Sequence, residues 1–455
     1  MKPASLYGHV SEVYGIASDG SRPADLVIRE YFRARRYLGS KERRFIADRF
    51  FGMVRHHVLI AARLGQAFRG GGIAPVPVPL PACALVAAYA ILIAMDPVET
   101  TIEAVAESCR TALPPGLDVE SILRSLPAGE LPEAIRADTV EHIATLHSLP
   151  SSVVREWVER WGAAETGRLA EVLNQQAPLS VRVNPLRCSV TQCRESLAAA
   201  GVETGPGDLA PAALALHRRV TLDSLGPYRD GWFEMQDEGS QLLSLLLEAT
   251  PGMTVVDACA GGGGKTLHLA ALMQNTGSLT AIDTDERKLE HLRMRVIRAG
   301  VSIVHTLSAR SQQSEIHGLD GRADAVLVDA PCSGLGTLRR NPGLKLGFRP
   351  DLSARLAATQ RQLLDAYAEL VKPGGRLVYS TCTLLRRENE EIAEDFLHRA
   401  SGFSLIPAGE ILQRQGIDLD TNSPYLLLLP HRTTTDGFFA AVFTRRTVAG
   451  ESEFV

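Results

Sequence analysis

The feature that most limits the fold of this chain is a regular alternation of strand and helix patterns after residue 239. Short apolar runs predict buried strands, and the stretches between them carry helical patterns. The predicted strands lie at 254–257, 278–282, 325–328 and 376–379, and the predicted helices at 265–273, 286–299 and 352–371. This order is typical of an α/β fold with a doubly wound, mainly parallel sheet. Functional residues are then expected at the carboxyl ends of the strands.

The chain before residue 239 follows two other patterns. Residues 1–145 carry apolar side chains at helical spacing and predict an all-α domain. Residues 146–238 mix helical and strand patterns and predict a small α+β domain. With 239–446 as the α/β domain, the sequence predicts three domains, which fits a length of 455 residues.

Charge and cysteine content narrow the class of protein. The net charge of −4 excludes a uniformly basic nucleic-acid coat. Residues 1–70 nevertheless hold 13 Lys and Arg against 6 Asp and Glu, which suits either phosphate binding or a solvated helix face. Seven cysteines without a CxxC pair argue against a disulfide framework and a zinc cluster, so no metal is expected. Without a signal-peptide pattern or a membrane span, we expect a cytoplasmic protein.

A glycine-rich loop follows the first of these strands. Residues 257–266 read Asp-Ala-Cys-Ala-Gly-Gly-Gly-Gly-Lys-Thr. A phosphate-binding P-loop would need glycine where Cys259 stands, and the dinucleotide fingerprint GxGxxG would need it where Thr266 stands. What remains is a strand, an acid, a loop of small residues and a helix. Such a loop allows a ligand to approach the backbone closely.

An acidic residue, Asp283, ends the next predicted strand, nineteen residues after Gly264. An acid in this position can accept hydrogen bonds from two ribose hydroxyls, and Asp285 is a nearby competitor for that role. The loop and the acid together favour a cofactor that contains a nucleoside. The other interpretation is a tight turn followed by a surface carboxylate.

Two cysteines, Cys332 and Cys382, follow the next two predicted strands. A free cysteine is most often a small buried hydrophobic residue, and that interpretation stays open for each. Both, however, have polar neighbours and stand at strand ends beside the glycine loop. This placement favours a thiolate acting as a nucleophile.

Four ordered motifs of this sequence resemble one family. Residues 257–266 resemble DxCAAPGGKT, residues 329–342 resemble DAPCSGxGxxRRxP, and residues 379–390 resemble YSTCSxxxxENE. Residues 182–185, Arg-Val-Asn-Pro, match a further motif. The chain is thereby identified as similar to the Nol/Nop/Sun family of RNA cytosine-5 methyltransferases, in its bacterial branch that modifies 16S ribosomal RNA (the small-subunit methyltransferase B type).

The resemblance covers about residues 145–446, and it implies a fold for each part of the chain. Residues 239–446 would form a class I, Rossmann-like methyltransferase domain that binds S-adenosylmethionine. Residues 146–238 would form a small RNA-binding subdomain. A weaker match at 22–25 and 37–45 makes residues 1–145 similar to the NusB-like helical RNA-binding domain of this branch.

The resemblance also implies a reaction, the transfer of a methyl group from S-adenosylmethionine to carbon 5 of cytosine. A thiolate adds to carbon 6 of a base that has left its stack, which activates carbon 5 through a covalent adduct. Cys382 would be the nucleophile, Cys332 would assist product release, and Asp329 would lie between cofactor and base. Lys265 is the candidate cation that could lower the pKa of Cys382.

Cofactor contacts carry over by position, with two departures from the family pattern. Gly261-Gly262 replaces Ala-Pro in the loop, and Ser308 replaces an acid expected near the adenine. The implied cofactor-binding residues are Cys259, Ala260, Gly261, Gly262, Gly263, Gly264, Lys265, Asp283, Ser308 and Asp329.

Basic residues after the Cys332 loop and in the amino-terminal region are candidates for RNA phosphate contacts. Each of them is equally compatible with a solvated surface charge. The candidates are Arg182, Arg339, Arg340 and Lys345, with a second group of Arg33, Arg35, Arg36, Lys41, Arg43 and Arg44.

Other functions stay open at this point. The same chemistry could act on transfer RNA, because the motifs do not separate the two substrates. A non-catalytic RNA-binding assembly factor is compatible with the two departures. A DNA cytosine-5 methyltransferase is disfavoured, because it would place its nucleophile at the position of Cys332. The expected partner is RNA, with no membrane and no metal, and the expected state is a monomer.

Overall fold

The computed structural model describes residues 1–72, 76, 79–112, 118–419 and 423–447. The chain forms two compact units, which we describe separately. The helical unit contains Met1–Gln176 and Thr337–Pro350, and the sheet unit contains Ala177–Gly336 and Asp351–Val455. The division into three domains that the sequence predicts remains a prediction.

The helical unit is built on a long helix, α3, whose apolar positions recur at helical spacing. Its side chains Ile46, Phe50, Met53 and Val54 are fully buried and form the centre of one hydrophobic core. A departure from helical dihedrals at His56 kinks this helix. The helices are α1 (Pro3–Ala17), α2 (Ala24–Ala34), α3 (Ser40–Gly70), α4 (Ala82–Leu92), α5 (Val98–Ala112), α6 (Val119–Arg124), α7 (Glu133–Arg136), α8 (Thr139–His147), α9 (Ser151–Trp161) and α10 (Ala163–Leu173).

A small antiparallel sheet opens the sheet unit. Its strand order is β2-β3-β1-β4, with β1 paired to β3 and β4. The strands are β1 (Leu179–Val183), β2 (Thr204–Pro206), β3 (Ala213–Leu216) and β4 (Phe233–Met235). The helices around it are α11 (Val190–Ala199), a short 3-10 helix (Leu222–Ser224), α12 (Gly226–Arg229) and α13 (Glu238–Leu245).

The large sheet has the order β10-β12-β9-β8-β5-β6-β7, and β11 pairs with β12. Strands β5 to β9 are parallel, and the antiparallel strands β10 to β12 extend one side. The strands are β5 (Thr254–Ala258), β6 (Ser278–Asp283), β7 (Val304–Ser308), β8 (Ala323–Asp329), β9 (Val371–Thr381), β10 (Phe403–Ile406), β11 (Leu426–Leu428) and β12 (Phe438–Arg445). The predicted doubly wound, mainly parallel α/β sheet is confirmed.

Helices of the sheet unit connect these strands and cover them. They are α14 (Gly264–Leu272), α15 (Glu286–Ala299), α16 (Gln313–His317), α18 (Pro350–Ala368), α19 (Glu390–Arg399), α20 (Ala408–Arg414) and α21 (Pro430–Thr433), with 3-10 helices at Leu335–Thr337 and Arg386–Glu388. One further helix, α17 (Leu344–Gly347), lies in the segment that returns to the helical unit. No helix among the described residues combines the length and apolar character needed to cross a membrane.

The strand order reverses between β5 and β8. From β5 the chain proceeds outward through β6 and β7, and then returns to place β8 on the other side of β5. The carboxyl ends of β5 and β8 therefore flank a crevice of the kind in which ligands of α/β sheets bind. The glycine loop after β5 and the Cys332 segment after β8 both lie at this crevice.

Candidate active site

The loop between β5 and α14 turns sharply, with positive φ angles at Cys259 (+62°), Gly261 (+57°) and Gly263 (+82°). At Gly263 a Cβ atom would lie 2.0 Å from Cδ1 of Leu292, so any other residue would be strained by the positive φ and would have to displace Leu292. The N–H groups of Ala260 and Gly263 donate to the carbonyls of Ile282 and Ala260. Part of the backbone of this loop is therefore satisfied within the protein, while Cys259 and Gly261 line a cavity.

The Asp283 carboxylate is held in place at the end of β6. One oxygen, Oδ2, accepts the N–H of Gly261 at 2.8 Å, and the other, Oδ1, accepts the N–H of Asp285 at 2.8 Å. Asp283 lines the cavity described below, whereas the Asp285 side chain accepts the N–H of Arg287 and caps α15. Of the two acids, Asp283 is the one placed for a ligand.

The two predicted thiols meet at the neighbouring ends of β8 and β9. Their Sγ atoms are 3.4 Å apart, and the backbone N–H of Cys382 donates to Cys332 Sγ at 3.3 Å. Both side chains line the same cavity. The hydrogen bond to Cys382, together with burial, raises the pKa of the Cys332 thiol well above its usual value. Cys332 therefore holds its proton at neutral pH.

Asp329, the last residue of β8, forms an ion pair with Lys265 from the start of α14. Lys265 Nζ lies 2.6 Å from Asp329 Oδ2, and Ser380 Oγ donates to Oδ1 at 3.1 Å. Burial lowers the pKa of Lys265, but the Asp329 carboxylate outweighs it, and the net shift is upward. Lys265 thus stays charged and orients Asp329.

A second carboxyl group, Asp257 in β5, lies fully buried behind the glycine loop. Thr266 Oγ1 donates to its Oδ2 at 2.6 Å. Burial, with further contributions from the charges of Asp329 and Asp283, raises the pKa of Asp257 to about 7. Asp257 therefore titrates near neutral pH, a property that the sequence motif does not show.

One cavity of about 690 Å³ joins the loop, the acids and the thiols. It extends from Cys259, Gly261 and Asp283 to Asp329, Cys332 and Cys382. The sequence prediction missed its apolar wall, which consists of Ile316, Leu363, Tyr367 and Leu370. The apolar spacing of the last three residues was the available signal, but it equally suits an ordinary core helix.

Ser308, which stands where the family has an acid, ends β7 and is buried. Its N–H donates to Gln312 Oε1 at 2.9 Å, and its Oγ has no hydrogen-bond partner among the described residues. Its neighbours Ala309 and Gln313 line the cavity. An adenine contact at this end of the cavity would then involve a neutral residue.

Three of the four predicted phosphate-binding side chains are buried, which corrects that prediction. Arg182, Arg339 and Lys345 are 1%, 5% and 4% exposed. In the sheet unit, Arg182 donates to the carbonyl of Gly264 at 2.7 Å and to the Gln236 side chain.

Within the helical unit, Lys345 Nζ donates to the carbonyls of Arg55 (3.0 Å) and His147 (2.7 Å) and to the Asn174 side chain. Such groups satisfy interior carbonyls and do not reach RNA phosphates. Arg340 is half-buried and remains a candidate. Among the described residues, no group of three or more His, Cys, Asp or Glu side chains could hold a metal ion.

Comparison with known sequences matches two family models to this chain. The family described as 16S rRNA methyltransferase RsmB/F matches residues 244–444. The ferredoxin-like domain of RsmF/B-like methyltransferases matches residues 149–223, which include strands β1, β2 and β3 of the small antiparallel sheet.

Relatives with assigned names show the same similarity over about two thirds of their length. A probable ribosomal RNA small subunit methyltransferase B from Bacillus subtilis is 36% identical over 325 residues, which cover 70% of this chain and 72% of the relative. A protein of the same description from Synechocystis is 36% identical over 65% of this chain and 66% of the relative. The crystal structure of PH0851 superposes with a TM-score of 0.75 and 28% identity, covering 97% of this chain and 99% of the other.

S-adenosylmethionine is the methyl donor of this family. The structure fits that cofactor, because the cavity combines the fixed Asp283 carboxylate, a close-packed glycine loop and an apolar wall large enough for a nucleoside. The sequence matches extend over most of the sheet unit, and the site residues stand at the motif positions. The chain therefore belongs to the RsmB/F family of 16S rRNA methyltransferases.

Proposed function

We propose that this protein transfers a methyl group from S-adenosylmethionine to carbon 5 of a cytosine in 16S ribosomal RNA, with Cys382 as the nucleophile. The observation that carries the proposal is the pair of thiols 3.4 Å apart, in one cavity with Asp329 and Asp283. A methyltransferase acting on an amino or hydroxyl group has no need of two thiols at its reacting centre. The names of the relatives support ribosomal RNA as the substrate.

Cytosine carbon 5 is a poor nucleophile until a group adds at carbon 6. A thiolate that attacks carbon 6 shifts electron density to carbon 5, and this covalent step divides a difficult reaction into easier ones. When bound, S-adenosylmethionine supplies an electrophilic methyl group to that carbon. A base then removes the carbon-5 proton, the carbon 6–sulfur bond breaks, and its electrons return to the thiolate.

The raised pKa of Cys332 supports the assignment of the nucleophile to Cys382. A thiol that keeps its proton is a weak nucleophile, but it can donate a hydrogen bond. Cys332 Sγ lies 3.4 Å from Cys382 Sγ and is therefore placed to stabilise that sulfur as it leaves carbon 6. Cys332 would in this way assist product release.

Asp329 and Asp283 have separate roles in the proposal. Asp329, oriented by Lys265 and Ser380, would accept a hydrogen bond from the cytosine. Asp283 would accept the two ribose hydroxyls of the cofactor, because its position is fixed by the N–H groups of Gly261 and Asp285.

The test is methyl transfer from labelled S-adenosylmethionine to protein-free small-subunit ribosomal RNA, with transfer RNA as the comparison. Nuclease digestion and mass spectrometry would locate any 5-methylcytosine, and we expect it in ribosomal RNA. Label found only in transfer RNA would support the proposed reaction but contradict ribosomal RNA as its substrate. No label in either RNA, together with no cofactor binding by calorimetry, would contradict the proposal.

Replacing each thiol separately tests the assignment of roles. Cys382→Ala should abolish both methylation and the covalent RNA adduct. Cys332→Ala should still form the adduct and accumulate it, because release is slowed. Loss of the adduct only in the Cys332 variant would reverse the two assignments.

A further inference from the structure

Two adjacent residues, Glu388 and Asn389, lie behind the two cysteines and are fully buried, with 0% of each residue exposed. They follow β9 at the start of α19, and neither lines the cavity in which the proposed reaction takes place. A buried carboxylate is costly unless donors satisfy it, so its hydrogen bonds indicate what it does. Both side chains make hydrogen bonds to residues that are adjacent in sequence to the two cysteines.

Glu388 holds the Cys332 segment. Its Oε2 accepts the backbone N–H of Ser333, the residue after Cys332, at 2.8 Å, and the side chain of Gln360 at 3.0 Å. Its Oε1 accepts the hydroxyl of Ser353 at 2.8 Å. Gln360 also donates to the carbonyl of Pro331, the residue before Cys332, at 2.9 Å. Cys332 is thus fixed on both sides by a network centred on Glu388.

Asn389 holds the Cys382 segment in the same way. Its Oδ1 accepts the hydroxyl of Thr381 at 2.6 Å, and its Nδ2 donates to the carbonyl of Thr383 at 3.0 Å. These two residues flank Cys382. The hydroxyls of Ser333 and Thr383 are 2.7 Å apart, so a direct bond also joins the two segments.

We propose that Glu388 and Asn389 are positioning residues that set the separation of the two thiols, with Glu388 placing Cys332 and Asn389 placing Cys382. The proposal rests on the proposed function for the separate roles of the thiols. Because Glu388 and Asn389 are consecutive residues, the planar peptide bond between them limits how far one side chain can move relative to the other. We call these two side chains the anchors of the thiols. A sulfur displaced by about 1 Å would lower the rate of its own step by about 10²-fold.

This arrangement predicts that loss of the two anchors affects different steps. Glu388→Ala should leave adduct formation near the wild-type rate and slow adduct release by about 10²-fold, so that the covalent RNA complex accumulates. Asn389→Ala should instead slow adduct formation by a similar factor. Rapid-quench sampling followed by denaturing gel electrophoresis measures both steps. A merely structural role would lower both rates together.

Conservative variants show whether hydrogen bonding is the cause. Glu388→Gln keeps an oxygen for the N–H of Ser333, while the Ser353 hydroxyl can turn to accept from the new amide. It should recover release to within about tenfold of wild type, since one weakened hydrogen bond changes a rate by about that factor. Asn389→Asp keeps the acceptor for Thr381 but loses the donor to Thr383, and should fall between Asn389→Ala and wild type.

A second measurement needs no RNA. The charge of Glu388 contributes, after the Cys382 hydrogen bond and burial, to the raised pKa of Cys332. Alkylation of Cys332 by iodoacetamide, mapped by peptide mass, should therefore begin at a lower pH in Glu388→Ala, which lacks both the charge and the hydrogen bonds to the Cys332 segment, than in the wild type. Glu391→Ala, a change at an exposed acid three residues further along the chain in the first turn of α19, is the matched control and should leave the profile unchanged.

The outcomes separate this proposal from the proposed function. If the wild type forms an adduct, and Glu388→Ala and Asn389→Ala slow formation and release equally, the positioning roles are wrong and the catalytic roles stand. If the wild type forms no adduct, the proposed function fails first, and the alkylation profile alone then tests Glu388. An unchanged Cys332 profile in folded Glu388→Ala, which lacks both the charge and the hydrogen bonds, would overturn the part of the proposal that concerns Cys332.

Discussion

At the scale of single residues, burial decides the chemistry of several side chains more than their identity does. Asp257 and Asp329 are both aspartates at the crevice, but Asp329 has a lysine partner and Asp257 has none among the described residues. Arg182 and Lys345 have no carboxylate partner within the described part of the chain, and they donate to carbonyls and amide side chains. The motifs predicted acids and thiols at neighbouring strand ends, and the structure brings Asp283, Asp329, Cys332 and Cys382 together in one cavity. They contain no information on exposure, and so the phosphate-binding role of these cations was wrongly predicted.

The raised pKa of Asp257 predicts a pH-dependent stability. Between about pH 4 and pH 7 the folded protein keeps a proton that the unfolded chain has lost, so this group makes the protein less stable as pH rises through that window. Asp257→Asn removes the effect. The free energy of unfolding of the variant relative to the wild type should rise by a few kcal/mol, roughly 1.4 kcal/mol per unit of pKa, between those values. Urea unfolding at several pH values measures it, and a constant difference would contradict the prediction.

The buried position of Arg182 predicts a loss of stability with no change in salt dependence. Arg182→Met leaves the Gly264 carbonyl and the Gln236 side chain without their donor, at about 1–3 kcal/mol for each unsatisfied group. If Arg182 contacted a phosphate, its removal would lower the salt dependence of RNA affinity by about one ion. We expect lower stability and an unchanged slope, with Arg194→Gln on the surface of the same subdomain as control. A reduced slope would restore the original prediction.

At the scale of elements, the four strands predicted from apolar runs are β5, β6, β8 and β9; β5 and β6 are one residue longer than their runs, β8 is three residues longer and β9 is seven residues longer. The sequence missed β7, because Val304–Ser308 carries polar residues and forms the end strand of the sheet, where one side needs no apolar partner. The antiparallel strands β10 to β12 were missed as well, since their pairing depends on contacts between segments distant in sequence. The parallel core could be predicted because its βαβ repeats are built from segments that follow one another in the sequence.

The turn before α14 predicts unequal tolerance of alanine at neighbouring glycines. Gly263→Ala must place a side chain at a positive φ and against Leu292, which should cost about 2–5 kcal/mol of stability. At Gly264 a Cβ atom meets nothing within 4 Å, so Gly264→Ala is the matched control and should cost little. Thermal unfolding compares the two variants. Equal losses would show that the loop relaxes away from the geometry described here.

At the scale of the whole molecule, several of the basic side chains in the first seventy residues already have partners within the protein, and only the others are available to bind RNA. Arg35 pairs with Glu12, Arg44 lies 3.8 Å from Asp48, and Arg43 donates to the carbonyl of Leu38. Arg33, Arg36 and Lys41 are exposed, and none has an ion-pair partner among the residues that the structure describes. Of the predicted amino-terminal RNA surface, these three residues are the strongest candidates.

Neutralising these three residues should weaken RNA binding in proportion to the phosphates they contact. The variant Arg33→Gln, Arg36→Gln, Lys41→Gln should reduce the slope of log affinity against log salt by about 2, given roughly 0.7–0.9 per contact. The double variant Arg22→Gln, Arg124→Gln removes exposed arginines that already pair with acids and serves as control. Filter binding at several salt concentrations measures the slopes. An equal change per charge removed in the two variants would assign the effect to net charge alone.

The helical unit is built from two separate segments of the chain, and this limits how such a protein can evolve. The segment Thr337–Pro350 lies more than 150 residues after the unit's first part ends, and its Lys345 occupies the interior of that unit. No single continuous stretch of the gene encodes the whole unit. A deletion or fusion at one junction would remove either the carbonyls that accept from Lys345 or the lysine itself. The whole helical unit therefore cannot be gained, lost or exchanged through one continuous insertion, deletion or fusion. We expect the two units to have been inherited together.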